Sequence, residues 1–324
     1  MLAERPSDRA VAARWCVLVV GSANVDVSVR TAVLPRPGET VVGDGSVISV
    51  GGKGANQAVA AAACGAPTSL VARVGDDDFG RRVREELAAR GVETAELRPT
   101  AGATTGIATI AVDHCGQNCI VVVPGANGGL SPAELEPLRP LIAAAAVLVL
   151  QCEIPLETVY RAAQIAAACG TPVILNPAPA SGLDLARIGA GLAYLVPNES
   201  EAAALSGLPA ATPAQAGRAA AALRAAGVGC VIVTLGEAGC VVCDDAPPRH
   251  VPAHRVAAVD ATGAGDAFVG CLAAALAAGE SRDESVRRAI VYSALSTTRR
   301  GAQVSYPRRD EAESLWRAAA RAAQ

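Results

Sequence analysis

The sequence predicts an α/β fold, a mostly parallel central sheet flanked by helices with a small β-sheet lid, on three observations. Short, continuously apolar runs recur along the chain, as strands buried on both faces require. Alanine-rich segments of helical length alternate with them, and several stop at a glycine. Two stretches break the alternation and read as strand without an intervening helix. Strand–helix alternation implies parallel strands joined by helical crossovers, with helices on both faces.

In chain order, the buried strands are expected at Val17–Val20, Ser69–Arg73, Val147–Leu150, Val173–Leu175, Tyr194–Val196 and Cys230–Thr234. Helices are expected over Ala55–Cys64, Phe79–Arg90 and Pro155–Cys169, with Gly65, Gly91 and Gly170 supplying the left-handed residue that ends each one. Ser131-Pro-Ala-Glu134 is a capping box with proline at the first helical position. The exceptional stretches are Glu39–Val50 and Thr105–Val123, the second a hairpin of Ile107–Val112 and Cys119–Val123. They place the lid insertions at about 27–50 and 98–124, within a single α/β unit spanning 15–324. Residues 1–14 read as a disordered N-terminal extension.

Composition narrows the function. The 324 residues are 51% hydrophobic and 18% charged, enough for one α/β unit with a sizeable core. A net charge of −3, scattered arginines and 2% aromatics give neither an electrostatic footprint nor a stacking platform for nucleic acid. Trp15–Val20 is too short for a signal segment and Leu141–Leu150 too short to cross a membrane, so no membrane partner and a cytoplasmic location are expected. The ten cysteines then read as small buried hydrophobes. Cys240 and Cys243 with His250 and His254 imitate a zinc site, but the middle spacing is short, and residues three apart on a strand face opposite ways.

The strongest chemical signal is Asp260-Ala-Thr-Gly-Ala-Gly-Asp-Ala-Phe268, small residues leading into an alanine-rich helix. The N–H groups of Gly263, Ala264, Gly265 and Asp266 would sit at the helix N-terminus, where donors and dipole favour an anion. Asp266 is then placed to take the proton from a hydroxyl as a phosphoryl group arrives. The plainer alternative is that Asp266 only caps the helix. Gly51-Gly-Lys-Gly-Ala-Asn56 is the second signal. Lys53 is the only lysine among 28 basic residues, so a compact point charge is kept where the chain otherwise uses arginine. The spacing is not that of a Walker loop.

Gly21-Ser-Ala-Asn-Val-Asp26 follows the first strand, so Asn24 and Asp26 lie at a carboxyl end, where open α/β sheets bind ligands. A carboxylate there accepts from two neighbouring hydroxyls, although an Asx turn has the same appearance. Glu153 follows the Val147–Leu150 strand in the same way. Pro197-Asn-Glu-Ser-Glu201 offers hard oxygens suited to Mg²⁺ with nucleotide phosphates, or simply a helix cap. Thr234-Leu-Gly-Glu-Ala-Gly239 is a turn that would lie along a nucleotide.

At these residues the chain closely resembles the ribokinase (PfkB-type) carbohydrate kinase family, from about Val17 to Pro307. The likeness takes in both family signatures, around Gly51–Ala62 and Asp260–Phe268. It also takes in Pro37-Gly-Glu-Thr40, Gly125-Ala-Asn127, Asn176-Pro-Ala-Pro179 and Thr298-Arg-Arg-Gly-Ala-Gln303. The resemblance implies a Rossmann-like ribokinase fold whose β-lid clasps a second subunit in a homodimer. It implies sugar contacts from Asn24, Asp26, Gly52, Lys53, Asn56 and Glu153, with Asp266 as catalytic base and Gly263, Ala264 and Gly265 as anion hole. Asn198 and Glu201 match the motif that tunes Mg²⁺ and the phosphates of ATP, Thr234, Gly236 and Gly239 match a nucleotide loop, and Gly265 counts among the nucleotide-binding residues as well. Asp260, Thr262, Ser296, Arg299, Gly301 and Ser305 match a site for an activating monovalent cation, K⁺, several through backbone carbonyls. Ile290 departs from the Asn or His often found near the adenine. The implied reaction is D-ribose + ATP → D-ribose 5-phosphate + ADP. The alternatives are the same chemistry on deoxyribose, fructose or a nucleoside, or a silent sugar-binding regulator, which would have no need of Asp266.

Overall fold

The computed structural model describes residues 16–322; the expectation for residues 1–14 lies outside the described residues. In chain order the first half holds β1 (Val17–Val20), β2 (Asn24–Thr31), β3 (Gly43–Gly51), α1 (Lys53–Ala63), β4 (Thr68–Gly75), α2 (Asp78–Ala89), β5 (Val92–Glu93), β6 (Leu97–Thr100), β7 (Gly106–Val112) and β8 (Asn118–Val123). The second half holds α3 (Arg139–Ala144), β9 (Val147–Leu150), α4 (Leu156–Cys169), β10 (Val173–Leu175), β11 (Tyr194–Leu195), α5 (Glu199–Ser206), α6 (Pro213–Arg224), β12 (Cys230–Thr234), β13 (Cys240–Cys243), β14 (Arg249–Val251), α7 (Ala264–Ala277), α8 (Arg282–Ser296) and α9 (Arg309–Ala322).

The main sheet runs β14-β13-β12-β11-β10-β9-β1-β4-β5, with β6 also pairing β4. It is parallel from β12 across to β5, and antiparallel only at β12–β13 and β13–β14. Its central strand shows why the apolar runs are continuous. Val17 and Val19 enter the core beneath α1, α7 and α8, whereas Leu18 and Val20 enter the opposite core against α3, α4 and α6; all four are fully buried. Cys240 and Cys243 likewise fall into opposite cores, so the strand geometry that argues against a shared metal is realised. Gly65, Gly91 and Gly170 all adopt positive φ just past their helices.

A separate sheet runs β3-β2-β7-β8, with β2 and β7 parallel and both outer pairs antiparallel. Two local details go beyond the expectations. Asn24 and Asp26 follow β1 as expected and sit on β2, a strand of the small sheet, instead of in the alternative Asx turn, because the chain crosses directly from the main sheet into the lid. The capping box at Ser131 forms, yet it starts only a single 3₁₀ turn, Pro132–Leu135, before the next turn begins α3.

Candidate active site

The first turns of α1 and α7 meet at the carboxyl ends of β1, β9 and β10. The two helices are alanine-rich and run in close contact: a Cβ at Gly270 would lie 2.5 Å from the Ala60 side chain. Their N-terminal turns therefore bring polar side chains into a buried place, and those side chains find one another. Asn56 Nδ2 donates to Asp266 Oδ2 at 2.9 Å, and Gln57 Nε2 donates to Asp266 Oδ1 at 2.9 Å and to Asn176 Oδ1 at 3.1 Å. Asp266 is buried, and burial raises its carboxyl above the ordinary range against the opposing pull of Lys53, Asn56 and Gln57. A base raised in this way holds a proton more readily than a free carboxylate does.

Gly263 caps α7 in the left-handed region, φ +75°. A side chain there would meet Ala302 Cβ at 2.8 Å and the Tyr306 hydroxyl at 2.9 Å, so glycine is required twice over. Of the N–H groups expected to face an anion, one is engaged within the protein. The Ala264 N–H is already donated to the Ala261 carbonyl at 3.1 Å. Gly265 and Asp266 keep N–H groups that no carbonyl accepts among the described residues, and the space in front of Gly265 is open.

The opposite wall is built by the lid and by the loops after β1 and β9. Ser22 Oγ donates to Glu153 Oε2 at 2.6 Å, and the same oxygen accepts the Lys53 N–H at 3.0 Å. Asn24 Oδ1 accepts from Asn127 Nδ2 at 2.7 Å, which leaves the Asn24 amide N–H₂ as the end free to donate among the described residues. Asp26 is half-buried, and burial, then Glu153 and Asp266, push its carboxyl up to about 6. The Lys53 ammonium is held charged chiefly by Asp266, with Glu153 and Glu201 helping. Asn24, Asp26, Lys53, Asn56, Glu153 and Asp266 are thus gathered around one cleft, from segments spread over more than two thirds of the chain.

Toward the next strands, Asn198 and Glu201 form a reciprocal capping box at the start of α5, with Asn198 N–H on Glu201 Oε2 at 2.9 Å and Glu201 N–H on Asn198 Oδ1 at 2.8 Å. Glu201 Oε1 has no protein donor among the described residues, and burial raises this carboxyl. Asn198 is bridged to Thr234, which opens the turn carrying Gly236 and Gly239. Ile290 is buried in the core beneath α8 and presents no polar group.

Asp260 ties two loops together. Its Oδ1 accepts from the N–H and hydroxyl of Thr262 at 2.9 and 2.6 Å, and its Oδ2 accepts from the Gly301 N–H at 2.8 Å. The side chains of other expected cation residues are engaged elsewhere: Ser296 Oγ with the Ser293 carbonyl, Ser305 Oγ with the Ala302 carbonyl, and Arg299 with Glu311. The two serine hydroxyls spend their hydrogens there but keep their lone pairs, so Ser296 and Ser305 can offer hydroxyl or carbonyl oxygens, whereas Arg299 can offer only its carbonyl. Sequence reading missed Ser22, Gln57, Asn127 and Gln303 as parts of the site. All four lie inside or beside quoted motifs, but nothing local marks which neighbour of a motif residue will reach a distant site residue.

Known proteins resemble this chain over nearly its whole length. The model of the pfkB family carbohydrate kinases matches residues 16–309. A mouse ribokinase is 40% identical over 296 residues, covering 90% of this chain and 91% of the relative. A deoxyribokinase of Salmonella typhi is 37% identical over 292 residues, covering 90% and 95%. A ribokinase structure from Thermotoga maritima superposes with a TM-score of 0.86 at 36% identity, covering 94% and 99% of the two chains. An Arabidopsis thaliana ribokinase complexed with ribose and ATP superposes with a TM-score of 0.86 at 33% identity, covering 93% and 98%. The chain belongs to the pfkB family of carbohydrate kinases, and it is an ATP-dependent sugar kinase of the ribokinase type.

Proposed function

We propose that this kinase transfers the γ-phosphoryl group of ATP to the 5-hydroxyl of D-ribose, giving D-ribose 5-phosphate and ADP, with Asp266 as general base. The observation that carries the reading is the position of Asp266: a buried carboxylate at the N-terminus of α7, beside the open N–H groups of Gly265 and its own backbone. The sugar hydroxyl gives its proton to Asp266 as it attacks in line, and charge growing on the transferred phosphoryl falls before those donors. Asp26 and Glu153 accept from sugar hydroxyls, while Asn24 and Lys53 donate to them. Resemblance to the mouse ribokinase and to the ribose-bound Arabidopsis protein supports ribose. The deoxyribokinase relatives support 2-deoxy-D-ribose as the second reading.

The donor sets fit two cations. Glu201 and Asn198 would hold Mg²⁺ through water, a hard-oxygen setting, and the ion would neutralise phosphate charge. Asp260, Thr262 and the carbonyls of Ser296, Arg299, Gly301 and Ser305 would hold K⁺, which would stiffen the loop leading into α7. Homodimerisation through the small sheet belongs to the same proposal. Its support is the exposure of Val47, Ile48 and Ile120–Val123 on that sheet, an apolar surface a second copy would cover. A cytoplasmic site of action is supported by ten cysteines that are all free thiols.

The test is ADP release with D-ribose, 2-deoxy-D-ribose, fructose and nucleosides, with the phosphorylated position identified in the product. The highest kcat/KM is expected for D-ribose, with phosphate on the 5-oxygen. A preference for 2-deoxy-D-ribose moves the assignment to the second reading, and a preference for any other substrate overturns both.

A further inference from the structure

We propose that Gln57, Gln151 and Gln303 are positioning residues for the base: they complete two directed amide arms, one ending on each oxygen of Asp266. The inference rests on Asp266 being the base. A carboxylate can only accept, so the end of any amide facing it must be N–H₂. Gln57 Nε2 meets Oδ1 and Asn56 Nδ2 meets Oδ2, both at 2.9 Å. The far end of each amide is then a carbonyl, and each finds a donor: Gln57 Oε1 accepts from Gln151 Nε2 at 2.6 Å, and Asn56 Oδ1 accepts from Gln303 Nε2 at 2.9 Å. The direction is passed on once more, so the last group in each arm must be a carbonyl oxygen.

Those two last oxygens, Gln151 Oε1 and Gln303 Oε1, are both buried without a hydrogen-bond partner. Buried acceptors left alone cost stability. Turning either amide over sets carbonyl against carbonyl at the next link, and the conflict travels back to Asp266. The paired orphan oxygens are what the base's negative charge imposes on two separate arms. The backbone makes room for one of them: a Cβ at Gly21 would come within 1.9 Å of Gln151 Oε1. Gln57 Nε2 also holds Asn176 Oδ1, and Asn176 Nδ2 is fixed on the Val196 carbonyl at 2.8 Å, so the arm is anchored to the loops after β10 and β11.

Two consequences follow for the reaction. With one lone pair on each oxygen occupied, the Asp266 carboxylate has a single rotamer and presents its remaining lone pairs to the cleft. The amide donors also favour the ionised form against the burial that opposes it. Lys53 acts in the same sense, while Asp26, Glu153 and Glu201 oppose it, and the Tyr306 phenol stands alongside. None of these is altered by changing the glutamines.

The experiment is kcat against pH at saturating sugar and ATP for Gln57→Leu, Gln303→Leu, Gln151→Leu and Gln57→Glu, with Tm measured for each. In Gln57→Leu the acid limb of kcat is expected to move up by about one pH unit, with KM for sugar within about threefold. Gln303→Leu and Gln151→Leu, one link further out, are expected to move it by less. Gln57→Glu keeps shape and polarity but sets an acceptor against Asp266, so its limb should move further than that of Gln57→Leu. A limb that stays at the wild-type pH in both Gln57 variants, with only Tm lowered, overturns the proposal. Asp266→Asn separates the two readings. An inactive Asp266→Asn with unmoved limbs in the glutamine variants sinks the arms alone, whereas an active Asp266→Asn sinks the base.

Discussion

The Ser22 hydroxyl donates to Glu153 Oε2 at 2.6 Å, joining the loop after β1 to the loop after β9 across 131 residues of sequence. Ser22 is fully buried, and the same hydroxyl accepts the Gly54 N–H at 3.3 Å, so one small side chain orients Glu153 and the start of α1 together. Ser22→Ala is expected to raise KM for the sugar about tenfold, with a smaller change in kcat, since hydrogen bonds to charged groups contribute roughly 1.5–3 kcal/mol. Steady-state kinetics at saturating ATP check it, and an unchanged KM would show that Glu153 needs no such support.

Asp266→Asn keeps the size of the side chain at the head of α7 but removes the proton acceptor. Turnover is expected to fall by about 10²–10⁴, the usual contribution of a general base. Sugar affinity, read by calorimetry without nucleotide, should change far less. Turnover within a few-fold of the wild type would place the base elsewhere.

Lys53 stands at the first turn of α1, and its ammonium is held charged by Asp266 above all. Arginine in its place keeps the charge but brings a planar fork into a half-buried position between Gly52 and Gly54. Lys53→Arg is expected to lose catalytic efficiency by at least about tenfold, on the principle that a compact ammonium and a fork are not interchangeable. An enzyme with unaltered kcat/KM would mean that this side chain is not packed against substrate.

Asp26 yields two effects of opposite sign. Burial, followed by Glu153 and Asp266, raises its carboxyl from the ordinary 3.8 to about 6, and only the ionised form accepts from two hydroxyls. Sugar binding should therefore weaken about tenfold per pH unit below this value, as proton linkage requires. For stability, a raised value in the folded state means a contribution that is full below pH 3.8 and lost as pH rises through about 6. Asp26→Asn is thus expected to stabilise the sugar-free protein at pH 7.5 by on the order of 3 kcal/mol while impairing binding. Denaturant unfolding and calorimetry across pH 5–8 read both arms, and a destabilised Asp26→Asn would contradict the burial argument.

Monovalent cations should act through Asp260, whose carboxylate ties the Thr262 loop to Gly301. Activity is expected to be higher in potassium than in sodium or caesium salts at constant ionic strength and saturating Mg²⁺. Asp260→Asn should lose that preference. Equal rates in all three salts, or a preference surviving intact in Asp260→Asn, would remove the cation from this site.

The sequence alone determined what a few neighbouring residues can encode. The bounds of β1, Val17–Val20, follow from a continuous apolar run; the helix stops follow from Gly65, Gly91 and Gly170; and the hairpin of β7 and β8 follows from its own turn. Asp266 at the head of α7 was legible for the same reason, because the residues that open a helix and those that approach an anion sit side by side. Only the tertiary structure decided that Asn24 and Asp26 belong to a lid strand, that the Ala264 N–H is already taken, and that Gln57 and Gln303 reach toward the base. The physical reason is range. Periodicity and capping act within a turn or two, whereas the bond from Gln303 to Asn56 spans 247 residues and exists only because the 3₁₀ turn Gln303–Ser305 packs against α1 and buries both side chains.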